Sequence, residues 1–390
     1  PMWAKKKNSL SEVRKNIEIL GIKLPKVIHV AGTNGKGSVC AYLSNILIEN
    51  HMKVGTFISP HLIEVNERIL LDMTPISDPE LECISKYVRE KLGNSDTPPT
   101  YFEYIFYIAT VFFSKSNPDY VILETGMGGR LDVTNVFEDT LSIITSIGMD
   151  HMQFLGNSIK EIAYEKAGII KYNSTVIFDD SNEEANEIIR EFAKAKEAKI
   201  ISLSDFDYES LKFTYVKYKK KAAALAILGA GQLLNTIYNI DEAVTKTVWH
   251  GRMEEIEKDI IIDGAHNEPA IIEFTDNAMK LAKVNNKKIK LLISVVKDKE
   301  VERIFDIITS KLEVKKYYLT AMNSYRSNST DELYNSLNIL LEKNKRQSKI
   351  SCYNSSIEAF NEAKKEKADD EILFCVGSLY LMGEILEGNR

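Results

Sequence analysis

The chain has 390 residues, of which 44% are hydrophobic and 27% charged, and its formal net charge is −6. The length favours two domains and the composition is typical of a globular enzyme, while the negative charge argues against a nucleic-acid-binding protein. No apolar run approaches the roughly 20 residues that span a bilayer, and the four cysteines form no C-x-x-C pair. We therefore expect a cytoplasmic protein with buried thiols and with neither a nucleic-acid nor a membrane partner.

The first predicted elements are a helix, a strand and a second helix. Ser9 and Glu12 fit a capping box, after which apolar residues keep helical spacing as far as Leu20. The apolar run that begins at Val27 indicates a strand. The spacing of apolar residues over 39–49 predicts the second helix, so that a glycine-rich loop lies between strand and helix.

This loop has the composition of a phosphate-binding loop. Its glycines allow the backbone N–H groups to approach an anion closely, while Lys36 supplies a positive charge and Ser38 a hydroxyl for Mg²⁺. It is shorter than the G-x-x-x-x-G-K-[ST] loop, which disfavours a generic kinase or GTPase, and a tight turn without a ligand is the alternative. We predict that ATP phosphates contact Gly32, Thr33, Asn34, Gly35, Lys36, Gly37 and Ser38.

The remaining pattern alternates strands and helices in two stretches. Strands are predicted at 54–58, 120–124 and 141–145, with helices at 79–92, 101–115 and 222–234. The pattern restarts with strands predicted at 259–263, 289–296, 316–320 and 371–376. Alternation of this kind predicts an α/β protein. We expect an N-terminal P-loop ATPase-like parallel-sheet domain at 1–247 and a smaller C-terminal Rossmann-like α/β domain at 248–390.

Polar residues follow three of the predicted strands, and ligands of open α/β sheets bind at such strand ends. Glu124 closes an apolar strand and fits a Walker-B-like metal ligand, the alternative being a loop carboxylate. Ser59 precedes Pro60 in a turn, and His151 follows another strand, where a structural role is the alternative. Each of these residues alone is also compatible with a structural role, so its function stays open at this point.

Eight short motifs, taken together and in this order, resemble the folylpolyglutamate synthase and dihydrofolate synthase family within the Mur ligase superfamily. They are A-G-T-N-G-K-G-S at 31–38, S-P-H-L at 59–62, E-T-G-M-G-G-R-L-D-V-T-N at 124–135, D-H at 150–151, E-K-A-G-I at 165–169, W-H-G-R at 249–252, D-G-A-H-N at 263–267 and G-S-L-Y-L at 377–381. The resemblance runs from about Ser9 to Glu384, and the order and spacing of the motifs make it specific.

The resemblance implies ATP-dependent amide ligation between a folate carboxylate and the amino group of L-glutamate. In such a reaction the carboxylate attacks the γ-phosphate to give an acyl phosphate, which the amine then displaces. The small-molecule partners would be ATP, L-glutamate and either a reduced folate or dihydropteroate, and we expect a monomer.

The resemblance also implies roles for individual residues. Catalytic roles fall to Lys36, His151, Lys166, Arg252 and His266, and the nucleotide would also contact Arg252 and Asp263. Ser38 and Glu124 would hold one Mg²⁺ ion, and Ser59, Glu124 and His151 a second. We predict that Glu124 and His151 share this second site because they follow adjacent parallel strands. The pteridine end of the substrate would contact Thr100, Tyr101, Phe102, Glu103, Leu131, Asp132 and Val133.

Two of these roles carry a structural alternative. Lys166 matches a lysine that the family carries in carbamylated form, which would turn a cation into a carboxylate-like ligand; otherwise it is a lysine on a helix surface. His266 would lie near glutamate or the phosphates; otherwise its turn caps a helix. Because Arg252 and Asp263 belong to the second domain, the resemblance implies a cleft between the domains.

Some positions depart from the family pattern. Lys221 stands where the family has an adenine-contacting asparagine, His250 replaces a proline in W-P-G-R, and Glu268 replaces the proline after D-G-A-H-N. Two other functions therefore stay open: a Mur-type amino-acid ligase of cell-wall synthesis, and a nucleotide-binding homologue without catalysis.

Overall fold

The chain divides into two compact units, Pro1–Val248 and Trp249–Arg390. The structure is a computed structural model and describes residues 7–93, 97–297, 299–324 and 327–389. Among these residues, no helix is both long enough and apolar enough to cross a membrane.

The first unit contains one sheet with helices between its strands. Its strands are β1 Lys26–Ala31, β2 Val54–Phe57, β3 Ile69–Leu71, β4 Thr74–Pro75, β5 Tyr120–Glu124, β6 Thr140–Ile144, β7 Thr175–Phe178 and β8 Lys199–Ser202. Its helices are α1 Leu10–Ile19, α2 Lys36–Glu49, α3 Asp78–Leu92, α4 Tyr101–Ser116, α5 Met152–Leu155, α6 Ile159–Ala167, α7 Glu183–Ala195, α8 Lys217–Ala230 and α9 Ile240–Lys246.

The strand order of this sheet is β4-β3-β2-β5-β1-β6-β7-β8. Strand β1 is central, and it pairs in parallel with β5 on one side and with β6 on the other. Only the β2–β3 and β3–β4 pairs are antiparallel among the described strands of this sheet. The loops that follow β5, β1 and β6 therefore emerge side by side at one edge.

Local sequence explains where two helices of this unit begin. The Ser9 side chain accepts the N–H of Glu12, and the Glu12 carboxylate accepts the N–H of Ser9, which confirms the predicted capping box of α1. Thr100 and Glu103 form the same reciprocal pair at the start of α4. Helix α4 is buried along most of its length, as expected for a helix that is apolar on all sides.

Two apolar clusters flank the centre of the sheet. One joins β1, β2 and β5 to α1, α3 and α4 through residues such as Val27, Phe57 and Phe106. The other joins the ends of β1, β6 and β7 to α6 and α7 through residues such as Ala31 and Phe178.

The second unit contains a six-stranded sheet with the order β13-β12-β11-β14-β10-β9. Its strands are β9 Glu254–Glu257, β10 Ile260–Asp263, β11 Lys288–Ile293, β12 Val314–Thr320, β13 Lys349–Tyr353 and β14 Glu371–Val376. Its helices are α10 Glu268–Val284, α11 Val301–Lys311, α12 Thr330–Lys343, α13 Ser356–Lys365 and α14 Leu379–Gly388. Strand β9 is antiparallel to β10, whereas the other pairs are parallel.

The predicted fold class is confirmed, since both units are α/β and their sheets are predominantly parallel. Strands at or near the sheet edges, such as β8 and β13, were not predicted because their residues are only partly apolar and partly buried. The expectation of buried thiols is wrong for two cysteines. Cys40 and Cys375 are buried, but Cys83 and Cys352 are exposed, and all four are free thiols.

Candidate active site

The glycine-rich loop turns from β1 into α2 with its backbone close to the neighbouring loop. The Thr145 hydroxyl donates to the Asn34 carbonyl at 2.7 Å, and the Thr33 N–H donates to the Ser146 carbonyl at 2.8 Å. A Cβ atom at Gly32 would lie 1.7 Å from Thr145 Oγ1. Position 32 therefore excludes any side chain, so glycine is needed for this packing.

The start of α2 is suited to an anion. Gly35 takes a left-handed conformation, with φ of 88°, as the residue preceding the helix, and no side chain of the described residues caps this end. The first backbone N–H groups of an α-helix have no partner within the helix and carry the positive end of its dipole. A phosphate group is the natural partner for such an end.

Lys36 and Glu124 face each other beside this helix start. Lys36 Nζ lies 4.0 Å from Glu124 Oε1, and it donates to the carbonyl oxygens of Gly32 and Thr33 at 3.2 and 3.4 Å. The Glu124 side chain is buried, and its other oxygen accepts the Ser59 N–H at 2.9 Å. Three strand ends thus bring together a lysine, a carboxylate and a serine, as the motifs predicted.

The donors around Glu124 fit a magnesium ion. Ser38 is buried at the first turn of α2, and the buried Thr125 hydroxyl, next to Glu124, has no hydrogen-bond partner in the described part of the chain. No group of three or more His, Cys, Asp or Glu side chains is placed to hold a metal among these residues. Mg²⁺ binds through one or two carboxylates together with substrate phosphates, and it does not need such a group.

His151 lies seven residues beyond the end of β6, in a left-handed conformation with φ of 51°. Its side chain is 41% exposed, and its Nε2 lies 3.8 Å from Asp150 Oδ2. The prediction that His151 and Glu124 follow adjacent strands is wrong, because β1 lies between β5 and β6. Their sharing of one metal ion stays a prediction.

Lys166 is buried rather than exposed on a helix surface. It lies in the last turn of α6, is 4% exposed, and donates from Nζ to the Gly32 carbonyl at 2.7 Å. Burial and the positive charge of Lys36 lower the pKa of Lys166 to about 7, against the opposing influence of Asp150 and Asp132. About half of this amine is therefore neutral near pH 7, the form that reacts with CO₂.

The glycine-rich segment after Glu124 packs tightly on the end of α6. Arg130 donates through its guanidinium to Glu165 Oε1 at 2.7 Å and through its backbone N–H to the Glu165 carbonyl at 2.7 Å. A Cβ atom at Gly168 would lie 2.3 Å from Arg130 Cβ, and one at Gly129 would lie 2.9 Å from the Glu165 carbonyl. The E-T-G-M-G-G-R and E-K-A-G motifs thus pack against each other.

The predicted substrate residues of α4 differ in exposure. Thr100 and Glu103 cap the helix, and the buried Glu103 carboxylate also accepts the Asn8 N–H at 2.8 Å. Tyr101 is 41% exposed beside the Arg68 guanidinium, while Phe102 packs on Phe57. The observed contacts of Glu103 are structural, and its contact with a pteridine ring stays a prediction.

The second predicted substrate segment also mixes exposed and buried residues. Leu131 is 55% exposed, whereas Asp132 and Val133 are buried. The Asp132 carboxylate accepts the N–H groups of Met127 and Thr134, both at 3.1 Å, and the Thr134 hydroxyl at 2.7 Å. Asp132 thus holds its own loop closed, and Leu131 is the residue that this loop presents at the surface.

In the second unit, the W-H-G-R and D-G-A-H-N segments form one structure. The buried Asp263 carboxylate accepts the Met253 N–H at 2.9 Å and the Ala265 N–H at 2.8 Å. Arg252 donates to the Gly251 carbonyl at 2.9 Å, and His266 Nδ1 lies 2.7 Å from the Gly264 carbonyl. Asn267, rather than His266, caps α10 through its side chain.

Lys221 belongs to a polar cluster beyond β7. It donates to the Ser181 hydroxyl at 2.6 Å and lies 3.5 Å from the buried carboxylate of Asp179. The lysine is therefore ion-paired and mostly covered.

Several residues that shape the site were not predicted. They are Thr145, Ser146, Arg130, Glu165, Thr125 and His29. All but Thr125 contact a partner distant in sequence, so no local pattern predicts their roles. The one available signal was the closely spaced glycines at 126, 128 and 129, which indicate that another backbone approaches.

Two domain families match the chain. The Mur ligase middle domain matches residues 30–241, and the dihydrofolate synthetase C-terminal domain matches residues 246–388.

Full-length relatives agree with these matches. The chain is 34% identical to the dihydrofolate synthase/folylpolyglutamate synthase of Bacillus subtilis, with 92% of this chain and 89% of the relative covered. It is 30% identical to a probable dihydrofolate synthetase of Schizosaccharomyces pombe, with 92% of each covered. The structure of Escherichia coli FolC in complex with DHPP and ADP matches with a TM-score of 0.87 at 25% identity, covering 99% of this chain and 94% of that chain.

Proposed function

Because this chain belongs to the dihydrofolate synthase/folylpolyglutamate synthase family, we propose that it is an ATP-dependent ligase that joins L-glutamate to a folate carboxylate through an acyl phosphate. The observation that carries the proposal is the convergence of the glycine-rich loop, Lys36, Glu124 and Ser59 at one edge of the first sheet. We further propose that dihydropteroate is a second acceptor, in line with the name of the Bacillus subtilis relative and the DHPP bound to Escherichia coli FolC.

Different residues of the first unit would bind the phosphates and the magnesium during phosphoryl transfer. The N–H groups at the start of α2 and the ammonium of Lys36 would hold the phosphates and stabilise the charge that develops in the transition state. Ser38, Ser59, Glu124 and His151 would hold magnesium. When bound, Mg²⁺ would neutralise charge on the phosphate oxygens and orient the γ-phosphate, so that the folate carboxylate attacks its phosphorus atom and ADP leaves.

We propose that Lys166 reacts with CO₂ to form a carbamate. The ammonium first loses one proton, and the neutral amine then adds to the carbon of CO₂ and releases a second, so that –NH–COO⁻ replaces –NH₃⁺. Burial beside Lys36 supports this, because it favours the neutral amine and an anion at this position would remove a repulsion between two cations. The carbamate N–H could still donate to the Gly32 carbonyl.

The acceptor would contact Tyr101, Phe102 and Leu131. Tyr101 and Leu131 are exposed, and Phe102 packs on Phe57 and beside Gly126. Arg252, Asp263 and His266 would contribute from the second unit to the nucleotide and to glutamate. A monomeric state is also part of this proposal. The protein's predicted location in the cytoplasm stays part of this proposal.

One assay separates this function from the two alternatives. ADP release should require both L-glutamate and either tetrahydrofolate or dihydropteroate, and mass spectrometry should show the product heavier by one glutamyl residue. ADP release that depends on a cell-wall precursor instead would identify a Mur-type ligase. ATP binding without ADP release under any of these conditions would identify a non-catalytic homologue.

A further inference from the structure

A buried histidine lies on the central strand below the predicted substrate loop. His29 is fully buried in β1, and residues 27 and 31 share its face of the sheet because side chains alternate along a strand. Val27 belongs to one of the two apolar clusters and Ala31 to the other. An imidazole thus lies between two apolar regions.

Stability alone does not explain a histidine here. Burial, with the charge of Lys171, lowers the pKa of His29 to about 3, so the ring is neutral at physiological pH. Its Nδ1 is buried and has no hydrogen-bond partner among the described residues. Burying an unpaired polar atom lowers stability, and an apolar side chain of similar size would avoid that loss.

The other ring nitrogen begins a chain of hydrogen bonds that leads to the loop. His29 Nε2 lies 2.8 Å from Thr134 Oγ1, and Thr134 Oγ1 lies 2.7 Å from Asp132 Oδ1. An ionised carboxylate only accepts, so the single hydroxyl proton of Thr134 must point to Asp132. The Thr134 oxygen is then left to accept, and His29 must donate from Nε2.

We propose that His29 is a positioning residue for the folate-binding loop: its Nε2–H orients the Thr134 hydroxyl, which orients Asp132 and thereby fixes where Leu131 is presented. The directions of the two hydrogen bonds, from His29 to Thr134 and from Thr134 to Asp132, follow from the Asp132 carboxylate, which only accepts. The proposal rests on the proposed function in one respect, namely that Leu131 contacts the folate.

These hydrogen bonds connect two loops of the site through strand β1. Asp132 also accepts the Met127 N–H, so its orientation sets both ends of the turn that contains Leu131. Strand β1 continues from His29 directly into the phosphate loop at Gly32. The hydrogen bonds from His29 through Thr134 to Asp132 therefore hold the folate-binding loop on the same strand that leads into the phosphate loop.

The first test does not depend on activity. Nitrogen-15 NMR of the protein with labelled histidine should show one ring that carries its proton on Nε2 and does not titrate through the neutral pH range; loss of this signal in His29→Gln assigns it to His29. A ring protonated on Nδ1, or one that titrates near the ordinary histidine pKa, would overturn the proposal even if every enzymatic result agreed.

The second test separates positioning from simple stability. In His29→Leu the KM for the folate should rise about tenfold, near the upper end of the effect of losing one hydrogen bond between neutral groups, while the KM for ATP stays within about twofold. His29→Gln keeps a donor near the Nε2 position and should restore most of the folate affinity. Thr134→Val should reproduce the leucine variant, and Thr134→Ser should not.

Ser142→Ala is the matched control. Ser142 lies opposite His29 in the β1–β6 register, is equally buried, and donates to the Ile169 carbonyl at 3.1 Å. Its loss should lower the Tm without changing the ratio of the two KM values. Equal changes in both KM values in His29→Leu, or a loss of activity that only follows the Tm, would assign His29 a purely structural role.

A failure of the proposed function would look different. Wild-type protein without folate-dependent ADP release would refute the ligase, and a normal folate KM in Leu131→Ala would refute the contact with Leu131. Neither result changes the expected NMR signal of His29. Should His29→Leu fail to fold, the Thr134 pair and the NMR spectrum of the wild-type protein still decide the question.

Discussion

Each unit has a strand that ends in a buried carboxylate followed by a glycine-containing turn, yet the two carboxylates are used differently. Glu124 at the end of β5 accepts one backbone N–H and faces the ammonium of Lys36 at 4.0 Å. Asp263 at the end of β10 accepts backbone N–H groups with both of its oxygens. The same strand-end position thus supports a charged site in the first unit and a closed turn in the second.

This difference suggests which residues act on ligands and which hold the structure. Lys36 and Glu124 form no part of an apolar cluster, and their charges lie where a helix start would meet a phosphate. Asp263 instead ties the W-H-G-R and D-G-A-H-N segments together, and Arg252 and His266 extend from that turn. Substituting the strand-end carboxylate should therefore lower turnover with little loss of stability at Glu124, and should lower stability as well as turnover at Asp263.

The largest effect is expected for Lys36→Ala. Turnover should fall by a factor of about 10² or more, because groups that stabilise transition-state charge usually contribute that much, and the Tm should stay near wild type. Steady-state ADP release with saturating substrates measures the change. Lys86→Ala, which removes only an exposed pair with Glu82, is the control. More than about a tenth of the wild-type rate would contradict the role of Lys36.

Two isosteric substitutions test the contrast between Glu124 and Asp263. Glu124→Gln should lower turnover and raise the Mg²⁺ concentration needed for half-maximal rate, with little change in Tm. Asp263→Asn turns an NH₂ group towards one of two buried N–H groups, which should reduce the free energy of unfolding by about 1 to 3 kcal/mol. Thermal unfolding and magnesium titration distinguish the two. Destabilisation by Glu124→Gln as large as that by Asp263→Asn would remove the contrast.

Activity should depend on bicarbonate and pH through Lys166. Because its pKa is lowered to about 7, the neutral amine that forms the carbamate predominates above pH 7 and is lost as the pH falls below it. Protein depleted of CO₂ at acidic pH should lose activity and regain it with bicarbonate at alkaline pH. Lys166→Ala should be impaired and partly rescued by a short-chain carboxylate.

Carbon-13 NMR with labelled bicarbonate provides the direct readout for this prediction. A carbamate signal present in wild type and absent in Lys166→Ala supports it. Lys171→Ala is a matched control, because Lys171 is also buried, has a lowered pKa, and donates to the Asn135 carbonyl. No carbamate signal together with near-normal turnover of Lys166→Ala would refute the modification.

The unmodified Lys166 also makes stability depend on pH. Its pKa is about 7 in the folded protein, against 10.5 for an unperturbed lysine side chain, so between these values the unfolded chain binds more protons. The contribution of Lys166 therefore raises stability as the pH increases from about 7 to about 10.5. Denaturant unfolding of wild type and Lys166→Met without CO₂ should differ in slope over this range, with the steeper rise in wild type.

The smallest effect is expected for His250→Ala in the second unit. His250 is 57% exposed, and its Nδ1 lies 2.7 Å from Glu254 Oε1. An exposed pair of this kind contributes about 0.2 to 1 kcal/mol, and the Glu254 contact with the Gly251 N–H remains. Turnover should stay within about twofold of wild type. A large loss of turnover would mean that the departure from proline at this position matters for catalysis.

Much of the fold and part of the site followed from local sequence. Capping residues, apolar periodicity and glycine-rich turns are set by neighbours a few residues apart, so α1, β1, α2, β5 and the phosphate loop were predicted close to their observed bounds. The motifs also indicated that Lys36, Ser59 and Glu124 belong together, since parallel strands place their carboxyl ends at one edge.

Only the tertiary structure decided strand order and burial. It placed β1 between β5 and β6, which separates the strands that precede Glu124 and His151. It buried Lys166 against Gly32, gave Glu103 and Asp132 internal hydrogen bonds, and set His29 below Thr134. These features depend on contacts between residues far apart in sequence, and the pKa of a group or the direction of a hydrogen bond follows from those contacts rather than from the residue's own neighbours along the chain.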